Sequence, residues 1–344
     1  MTRLAIVADD LTGALDAAAP FAVRGISTTV ALGLDGLEAA LGSGADVIGV
    51  STDSREIAPD MARQAVADCV ARLPQGVPIF KKVDSRLKGN IEAELDALSF
   101  TRALVSPAIP AFGRFVRQGQ LLGFGVSTPI DIASRLGRHA SASVMPDATS
   151  QAEIEEAVAN IEHDLKIGAR SLAEAMALDM APDAAAPRLP LITSPAICVI
   201  GSTDPITLAQ LSKLRSGAPN LAYIAAPDGE APQAPPSPAA LTVLQATLGT
   251  AGTPSTLVAQ RLGQSLLRLA PQPGTTLLIS GGATAQVVLQ ALEITTLELL
   301  GEALPGLPIA RAGGFTIITK SGGFGDSDAL LHLLGHLGGA EQGS

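Results

Sequence analysis

Short apolar runs recur along the chain, and a polar turn and then a helical pattern follow them. The first run is Leu4 to Ala8, and the helical pattern after it extends from about Gly13 to Val23. This alternation is typical of a parallel sheet that is covered by helices. Aromatic residues make up only 3% of the chain, so the core must be built from Ala, Val, Ile and Leu. The sequence therefore predicts an α/β protein.

A stretch of alanine and proline without periodicity, APDAAAPRLP, occupies residues 181–190. Such a composition is typical of a linker. The alternation of strands and helices resumes at Ala196 to Ile200. We therefore expect two α/β domains, residues 1–185 and 191–344, each with a mainly parallel sheet flanked by helices.

The periodicity predicts further elements in both domains. Strands are predicted at Thr28 to Leu32, Val47 to Val50, Pro78 to Val83, Ala103 to Val105, Thr276 to Ile279 and Phe315 to Thr319. Helices are predicted at Met61 to Arg72, Ile91 to Leu98, Ala152 to Leu165, Ser171 to Met180, Ala285 to Leu292 and Asp328 to His336, with another beginning at Ile206. A hairpin or loops are expected between Phe112 and Ser150, and a surface loop from Ala226 to Pro238.

The formal net charge is -10, which argues against nucleic acid or an anionic membrane as a partner. No apolar run is long enough to span a bilayer, and the first strand leaves no room for a signal peptide. The two cysteines, Cys69 and Cys198, lie in apolar surroundings typical of buried, reduced thiols. We therefore expect a cytoplasmic protein.

Polar clusters follow three strands of the first domain, where ligands bind in open α/β sheets. Asp9 and Asp10 follow the first strand, and two adjacent carboxylates are costly to bury without a metal, a basic partner or substrate hydroxyls. Helix capping is the alternative for one of them. Ser51 to Arg55 could bind a carboxylate and several hydroxyls, or form an ordinary capped turn. Residues Lys81 to Asn90 contain several charged side chains, which are costly at a strand end unless they bind a ligand or take part in catalysis.

In the second domain, turns rich in glycine, rather than charged clusters, follow the predicted strands. They are Gly201 to Asp204, Ser280 to Thr284 and Ser321 to Gly325. Glycine lets backbone N–H groups approach a phosphate, and a helix N-terminus favours negative charge. Three such turns in one domain favour a nucleotide-binding site.

Several familiar motifs are absent or incomplete. No G-x-G-x-x-G follows a strand, and Thr319 stands where a P-loop from Gly314 to Ser321 would need its second glycine. His332 and His336 have the i, i+4 spacing of metal ligands, but no Glu follows His332. No G-x-S-x-G elbow of a serine hydrolase occurs.

At these motifs the sequence resembles the four-carbon acid sugar kinases. ADDLTGALDAA, STDSRE, KKVDSRLKGNIEAEL and SPAIPAFGR are similar to the family's amino-terminal motifs. GSTDPIT, ISGGATA, LPGLPIA and TKSGGFGDSDAL are similar to its carboxy-terminal, ATP-binding motifs. They occur in the family's order, and their joint occurrence is specific.

The resemblance implies a kinase that phosphorylates the terminal hydroxyl of a small acid sugar, such as threonate, erythronate or a 3-oxo-tetronate, with ATP and Mg²⁺. It implies an acid-sugar domain followed by a nucleotide domain, and leaves a homodimer open. The substrate residues implied are Asp10, Arg55, Lys82, Asp84 and Ser85, and one of Asp9, Asp10 and Asp84 would be the catalytic base. The ATP residues implied are Ser202, Thr203, Gly281, Gly282, Ala283, Thr284, Gly322 and Gly323. The residues that would hold Mg²⁺ are left open.

The sequence departs from the family's pattern in three places. Ala283 stands where members usually carry Glu, and Arg86 stands where Thr is usual. The middle region, about Gly119 to Asp147, is shortened. Two alternatives therefore stay open: a kinase for a branched or other oxo acid, and a metabolite-binding homologue without turnover.

Overall fold

The structure is a computed structural model. It describes residues 2–185, 187–232, 239–249 and 252–339. The chain forms two compact units, Met1–Pro187 and Arg188–Ser344. No helix among the described residues is long and apolar enough to cross a membrane.

Unit 1 is built on a seven-stranded parallel sheet with the strand order β2-β3-β1-β4-β10-β5-β9. Its strands are β1 Leu4–Ala8, β2 Thr28–Ala31, β3 Val47–Ser51, β4 Ile79–Lys82, β5 Ala103–Ser106, β6 Arg114–Arg117, β7 Gln120–Gly123, β8 Ile130–Asp131, β9 Ser143–Val144 and β10 Leu165–Gly168. Its helices are α1 Leu11–Val23, α2 Leu37–Gly42, α3 Pro59–Arg72, α4 Ile91–Leu95, α5 Ile132–Leu136, α6 Gln151–Asn160 and α7 Arg170–Met180. The strands β6, β7 and β8 form a separate antiparallel sheet.

Unit 2 contains the strand order β12-β13-β11-β14-β17-β16-β15. Its strands are β11 Ala196–Ile200, β12 Ala222–Pro227, β13 Leu241–Thr247, β14 Thr276–Ser280, β15 Thr296–Leu304, β16 Leu307–Ala312 and β17 Phe315–Lys320. Its helices are α8 Pro205–Gly217, α9 Ser255–Arg268, α10 Gly282–Ala291 and α11 Ala329–Leu334. The strands from β12 to β17 in this order pair in parallel, while β16 pairs antiparallel with β17 and β15. The predicted α/β class with mainly parallel sheets is confirmed.

The first four strands of the two units are arranged in the same order in their sheets. In unit 1 the first four strands lie as β2-β3-β1-β4, and in unit 2 they lie as β12-β13-β11-β14. In each case the chain leaves the first strand toward one side of the sheet and later continues on the other side. The crevice outside the carboxyl ends of the strands at such a switch point is where open α/β sheets bind ligands.

The predicted helix Ala152 to Leu165 is wrong in its last five residues, 161–165. Helix α6 ends at Asn160, and Leu165 begins β10, which lies between β4 and β5. The Asp164 carboxylate accepts the backbone N–H groups of Thr101 and Arg102, which fixes the turn before the strand. Because β10 has only four residues and one of them is Lys166, it lacked the apolar run that marks a buried strand.

Other predictions were incomplete. Helix α4 ends at Leu95 rather than Leu98, and β12, β13, α9, β15 and β16 were not predicted. The stretch from Phe112 to Ser150 contains the antiparallel sheet of β6, β7 and β8. The predicted surface loop Ala226 to Pro238 begins inside β12, and its residues 233–238 lie outside the described residues.

Candidate active site

The switch point of unit 1 lies at the carboxyl ends of β1 and β4, with β3 beside β1. Asp9 and Asp10 follow β1, Arg55 follows β3, and Lys82 ends β4. Because parallel strands end at the same edge of the sheet, these side chains converge. The structure therefore brings together the polar clusters of three separate sequence motifs.

Asp9 and Arg55 form the centre of this cluster. Arg55 Nε and Nη2 donate to the two carboxylate oxygens of Asp9, each at 2.9 Å, which is the bidentate geometry of the strongest arginine–carboxylate pairs. Burial alone would raise the pKa of Asp9, but the hydrogen bonds from Arg55 and the charges of Lys81, Arg55 and Lys82 lower it below its usual value. Asp9 is therefore a firmly ionised anchor for Arg55.

Asp10 has two roles in the structure. Its Oδ1 accepts the N–H of Gly13 at 2.7 Å and so caps helix α1, as the capping interpretation required. Its Oδ2 accepts the Thr12 hydroxyl and Arg55 Nη1, both at 2.7 Å. Asp10 therefore caps α1 and also has a basic partner, and its predicted role at a substrate site stays a prediction.

Lys82 is buried beside the start of α1. Its Nζ donates to the Val83 carbonyl at 2.9 Å and lies 3.1 Å from the position that a Cβ on Gly13 would take. A side chain at position 13 would also lie 2.5 Å from Asp10 Oδ1. Gly13 thus makes the room in which a lysine ammonium approaches the cap of the helix.

Asp84 is the least engaged of the three candidate carboxylates. Its Oδ1 accepts the N–H groups of Arg86 and Lys88, while its Oδ2 lies 3.9 Å from Arg55 Nη1, beyond hydrogen-bond distance. Ser85 follows it, and the Ser85 hydroxyl accepts a hydrogen bond from Arg114 Nη1 at 2.7 Å. One oxygen of Asp84 is therefore open to a ligand.

A buried network that the sequence did not predict supports this cluster. Lys81 Nζ lies 2.8 Å from Glu94 Oε2, and both side chains are fully buried. The Ser54 hydroxyl donates to the other oxygen of Glu94 and is 2.7 Å from the Thr52 hydroxyl. The only signal in the sequence was a Glu on the apolar face of a short helix, and the network fixes the backbone that carries Arg55.

The three glycine turns of unit 2 pack against one another. A Cβ on Gly201 would lie 2.0 Å from the Thr284 hydroxyl, and one on Gly322 would lie 2.9 Å from the Ser202 hydroxyl. Gly281 has a φ of +114°, a conformation that a side chain would strain. Asp204 caps α8 through the Ile206 N–H, and α10 begins at Gly282. Two helix N-termini therefore meet among backbone groups without side chains.

The remaining predicted residues of this site are exposed. Thr203, Ala283 and Gly323 are open to solvent, and Ala283 lies in the first turn of α10. The Ser280 hydroxyl at the end of β14 is buried and has no hydrogen-bond partner among the described residues. Polar groups at this switch point are therefore available for a ligand.

Lys320, which the sequence analysis did not single out, lies beneath the third turn. Its Nζ donates to the Thr207 hydroxyl at 2.9 Å and to the carbonyls of Ser321 and Gly322 at 3.2 and 3.0 Å. Burial lowers the pKa of Lys320 to about 8, against the opposing charges of Asp204 and Cys198. A cation is therefore built into the base of the glycine turns.

Two family models match different parts of the chain. Residues 4–181 match the family model of a sugar-binding N-terminal domain, and residues 230–330 match that of a nucleotide-binding C-terminal domain. A D-threonate kinase from Bordetella bronchiseptica is 32% identical over an alignment that covers 95% of this chain and 96% of the relative. The chain belongs to the four-carbon acid sugar kinase family.

Other members of the four-carbon acid sugar kinase family are similar at lower identity. A 3-oxo-tetronate kinase from Pseudomonas fluorescens is 27% identical, with 98% of both chains covered. A solved structure from Haemophilus influenzae shares the fold, with a TM-score of 0.69, 21% identity, and 97% and 99% of the two chains covered. The alignment with the D-threonate kinase runs over 394 positions, more than the 344 residues of this chain, so that family member has segments that this chain lacks.

Proposed function

We propose that this member of the family transfers the γ-phosphoryl group of ATP to a hydroxyl of a small acid sugar. The observation that carries the proposal is the convergence of Asp9, Asp10, Arg55, Lys82 and Asp84 at the switch point of unit 1. The names of the relatives support an acid of the threonate, erythronate or 3-oxo-tetronate type.

Arg55 and Lys82 are the proposed ligands of the acid's carboxylate. Arg55 is held by two carboxylates, and its Nη1 lies between Asp10 and Asp84. Phosphoryl transfer depends on positioning and charge neutralisation more than on covalent help from the protein. A rigid arginine and a buried lysine supply both for an anionic substrate.

Asp84 is the proposed base that accepts the proton of the attacking hydroxyl. Asp9 is occupied by Arg55 on both oxygens, and Asp10 is occupied by Gly13, Thr12 and Arg55. Asp84 Oδ2 accepts no hydrogen bond from any residue in the described parts of the chain, and the Asp84 side chain is 16% exposed. A general base must reach the proton that it takes, and this oxygen is the one that can.

The glycine turns of unit 2 are the proposed ATP site, with the phosphates near the N-termini of α8 and α10. The described residues contain no group of three His, Cys, Asp or Glu that could hold a metal ion. Mg²⁺ needs few protein ligands when it binds with nucleotide phosphates, and Asp204 offers a carboxylate beside Gly322 and Gly323. Mg²⁺ bound there would neutralise phosphate charge.

The proposal is tested by mixing the purified protein with Mg-ATP and a panel of four- and five-carbon acid sugars while ADP is measured. We expect ADP release with at least one acid. Asp84→Asn should lower kcat by at least about 100-fold, since a general base typically contributes that much. The same change at the exposed Asp35 is the matched control and should leave kcat within about twofold.

Two results would count against the proposal. ADP release at background level with every acid would favour the alternative of a metabolite-binding homologue, to which the exposed Ala283 points. Full activity in a folded Asp84→Asn variant would remove Asp84 as the base and return the choice to Asp9 and Asp10.

A further inference from the structure

Arg86 is an exposed cation without a partner. Its guanidinium has no hydrogen bond or ion pair among the residues that the structure describes; the contact that it makes through Asp84 uses its backbone N–H. It follows the proposed base by two positions. On a chain with a formal net charge of -10, an unpaired arginine next to the proposed substrate site calls for an explanation.

A second arginine lies close to Arg86. Arg114, which begins β6, is 7% exposed and donates through Nε and Nη2 to the Phe124 carbonyl and through Nη1 to the Ser85 hydroxyl. Burial, and then the positive charge of Arg86, lower the pKa of Arg114. The two cations are therefore close enough to repel each other.

Gly125 keeps the space beside these arginines open. A Cβ at this position would lie 3.2 Å from Arg114 Nη2 and 3.8 Å from Arg86 Cδ, and the φ of Gly125 is +75°. Arg86, in the turn after β4, and Arg114, at the start of β6, therefore both approach the same point beside Gly125. A ligand oxygen at that point would lie within hydrogen-bond distance of Arg114 Nη2.

Among the residues that the structure describes, no carboxylate forms an ion pair with the Arg86 or Arg114 side chain. Asp84 is the nearby carboxylate that attracts Arg114, but its Oδ1 is taken by backbone N–H groups and its Oδ2 also faces Arg55. Arg55 is also paired with Asp9 and Asp10, whereas Asp84 is the one carboxylate among the described residues whose charge is found to act on Arg114. A guanidinium binds a carboxylate or phosphate through two parallel N–H donors, which makes such contacts strong and directional.

We propose that Arg86 and Arg114 form a second anion subsite, which binds a second carboxylate of the acid while Arg55 and Lys82 bind the first. The inference rests on the proposed function and narrows its substrate class. The preferred acid has two carboxylates and keeps a free hydroxyl as the phosphoryl acceptor, as a branched acid sugar can.

The test measures binding by calorimetry, without nucleotide, for four-carbon sugar monoacids (threonate and erythronate) and for four-carbon sugar diacids (the tartrates). Wild type is expected to bind the best diacid about tenfold more tightly than the best monoacid, because a charge-assisted hydrogen bond to the second carboxylate contributes at least the ~1.4 kcal/mol to which tenfold corresponds. Arg86→Thr should bring this ratio close to one, and Arg86→Lys should retain part of it.

Arg117→Thr is the matched control, since Arg117 is an exposed arginine on the same strand as Arg114. It removes the same charge and should leave the ratio unchanged. Equal binding of monoacids and diacids by wild type would overturn the subsite. So would an Arg86→Thr variant that weakens both classes alike, which would assign Arg86 to the first carboxylate or to the transferred phosphoryl group.

The binding and ADP measurements separate this inference from the proposed function. A diacid preference that is lost in Arg86→Thr, without ADP release from any acid, would support the subsite and refute the kinase. ADP release with threonate or erythronate, together with equal binding of the two classes, would refute the subsite and support the kinase.

Discussion

Lys320 shows how one buried residue can set the chemistry of a backbone site. Its ammonium group holds the carbonyls of Ser321 and Gly322, so the third glycine turn is fixed from below. Protonated, it also adds a positive charge under the turns proposed to bind phosphates. Because its pKa is lowered to about 8, that charge is lost just above neutral pH.

The first residue-scale prediction concerns nucleotide affinity. As the pH rises through about 8, Lys320 loses its proton, and the Kd for ATP should rise by at most about tenfold per pH unit, the limit for one titrating group. Lys320→Met should bind ATP weakly and lose this dependence. Calorimetric titrations between pH 7 and 9 would measure it.

Lys213→Met serves as the control, because Lys213 is exposed and pairs with Asp328 in the same unit. It should keep the wild-type pH profile. The stability of the fold should change with pH in the opposite direction to the ATP affinity. Lys320 binds its proton more tightly in the unfolded chain than in the folded protein. The free energy of unfolding of wild type should therefore rise from pH 8 toward 10.5. Parallel pH profiles for wild type and Lys320→Met would exclude Lys320 as the titrating group.

At the scale of elements, the short helix α4 is tied to β4 by the buried pair of Lys81 and Glu94. The same Glu94 accepts the Ser54 hydroxyl from the segment after β3. Three elements that contribute to the cluster around Arg55 therefore depend on one carboxylate. A buried ion pair contributes little to stability as a pair, but removing one partner leaves an uncompensated charge.

Glu94→Gln should therefore destabilise the protein by about 3–5 kcal/mol in urea unfolding. Glu92→Gln in the same helix is the control; Glu92 is exposed and pairs with the exposed Arg138, so its loss should be about 0–1 kcal/mol. The double variant Lys81→Met/Glu94→Gln should recover much of the loss. Equal effects of the two single variants would mean that the buried pair is not what holds α4.

Some site residues and strands could be predicted from the sequence and others could not, for physical reasons. Asp9, Arg55 and Lys82 could be found because charged residues at the ends of apolar strands are costly without a function. Glu94 and Lys320 could not, because their partners are 13 and 113 residues away in sequence and only the fold brings them together. Strand β10 was missed because its four residues carry no periodicity that separates a strand from the end of a helix.

At the scale of the molecule, two units with the same opening strand order carry different residue types at the carboxyl ends of their strands. Charged side chains follow β1, β3 and β4, whereas glycine turns follow β11, β14 and β17. The sequence revealed no repeat, because side chains at strand ends diverge freely while strand order is set by backbone topology.

This division predicts where each ligand protects the backbone from hydrogen exchange. An acid that supports turnover should slow exchange in residues 9–13, 52–55 and 82–90, and ATP should slow it in residues 201–204, 281–284 and 321–325. Mass spectrometry of the full chain with each ligand alone would measure both patterns. Protection by ATP alone that is confined to the first set would contradict the assignment of nucleotide to unit 2.

The position of β10 has a consequence for biosynthesis. It pairs with β4 on one side and β5 on the other, yet it follows β5 by almost sixty residues in the chain. While the ribosome has made only the first 150 residues, β4 and β5 each present an unpaired edge, and such edges recruit other strands. Nascent chains that stall before Leu165 are therefore expected to need chaperone protection, and the parallel sheet of unit 1 closes only after its last strand emerges.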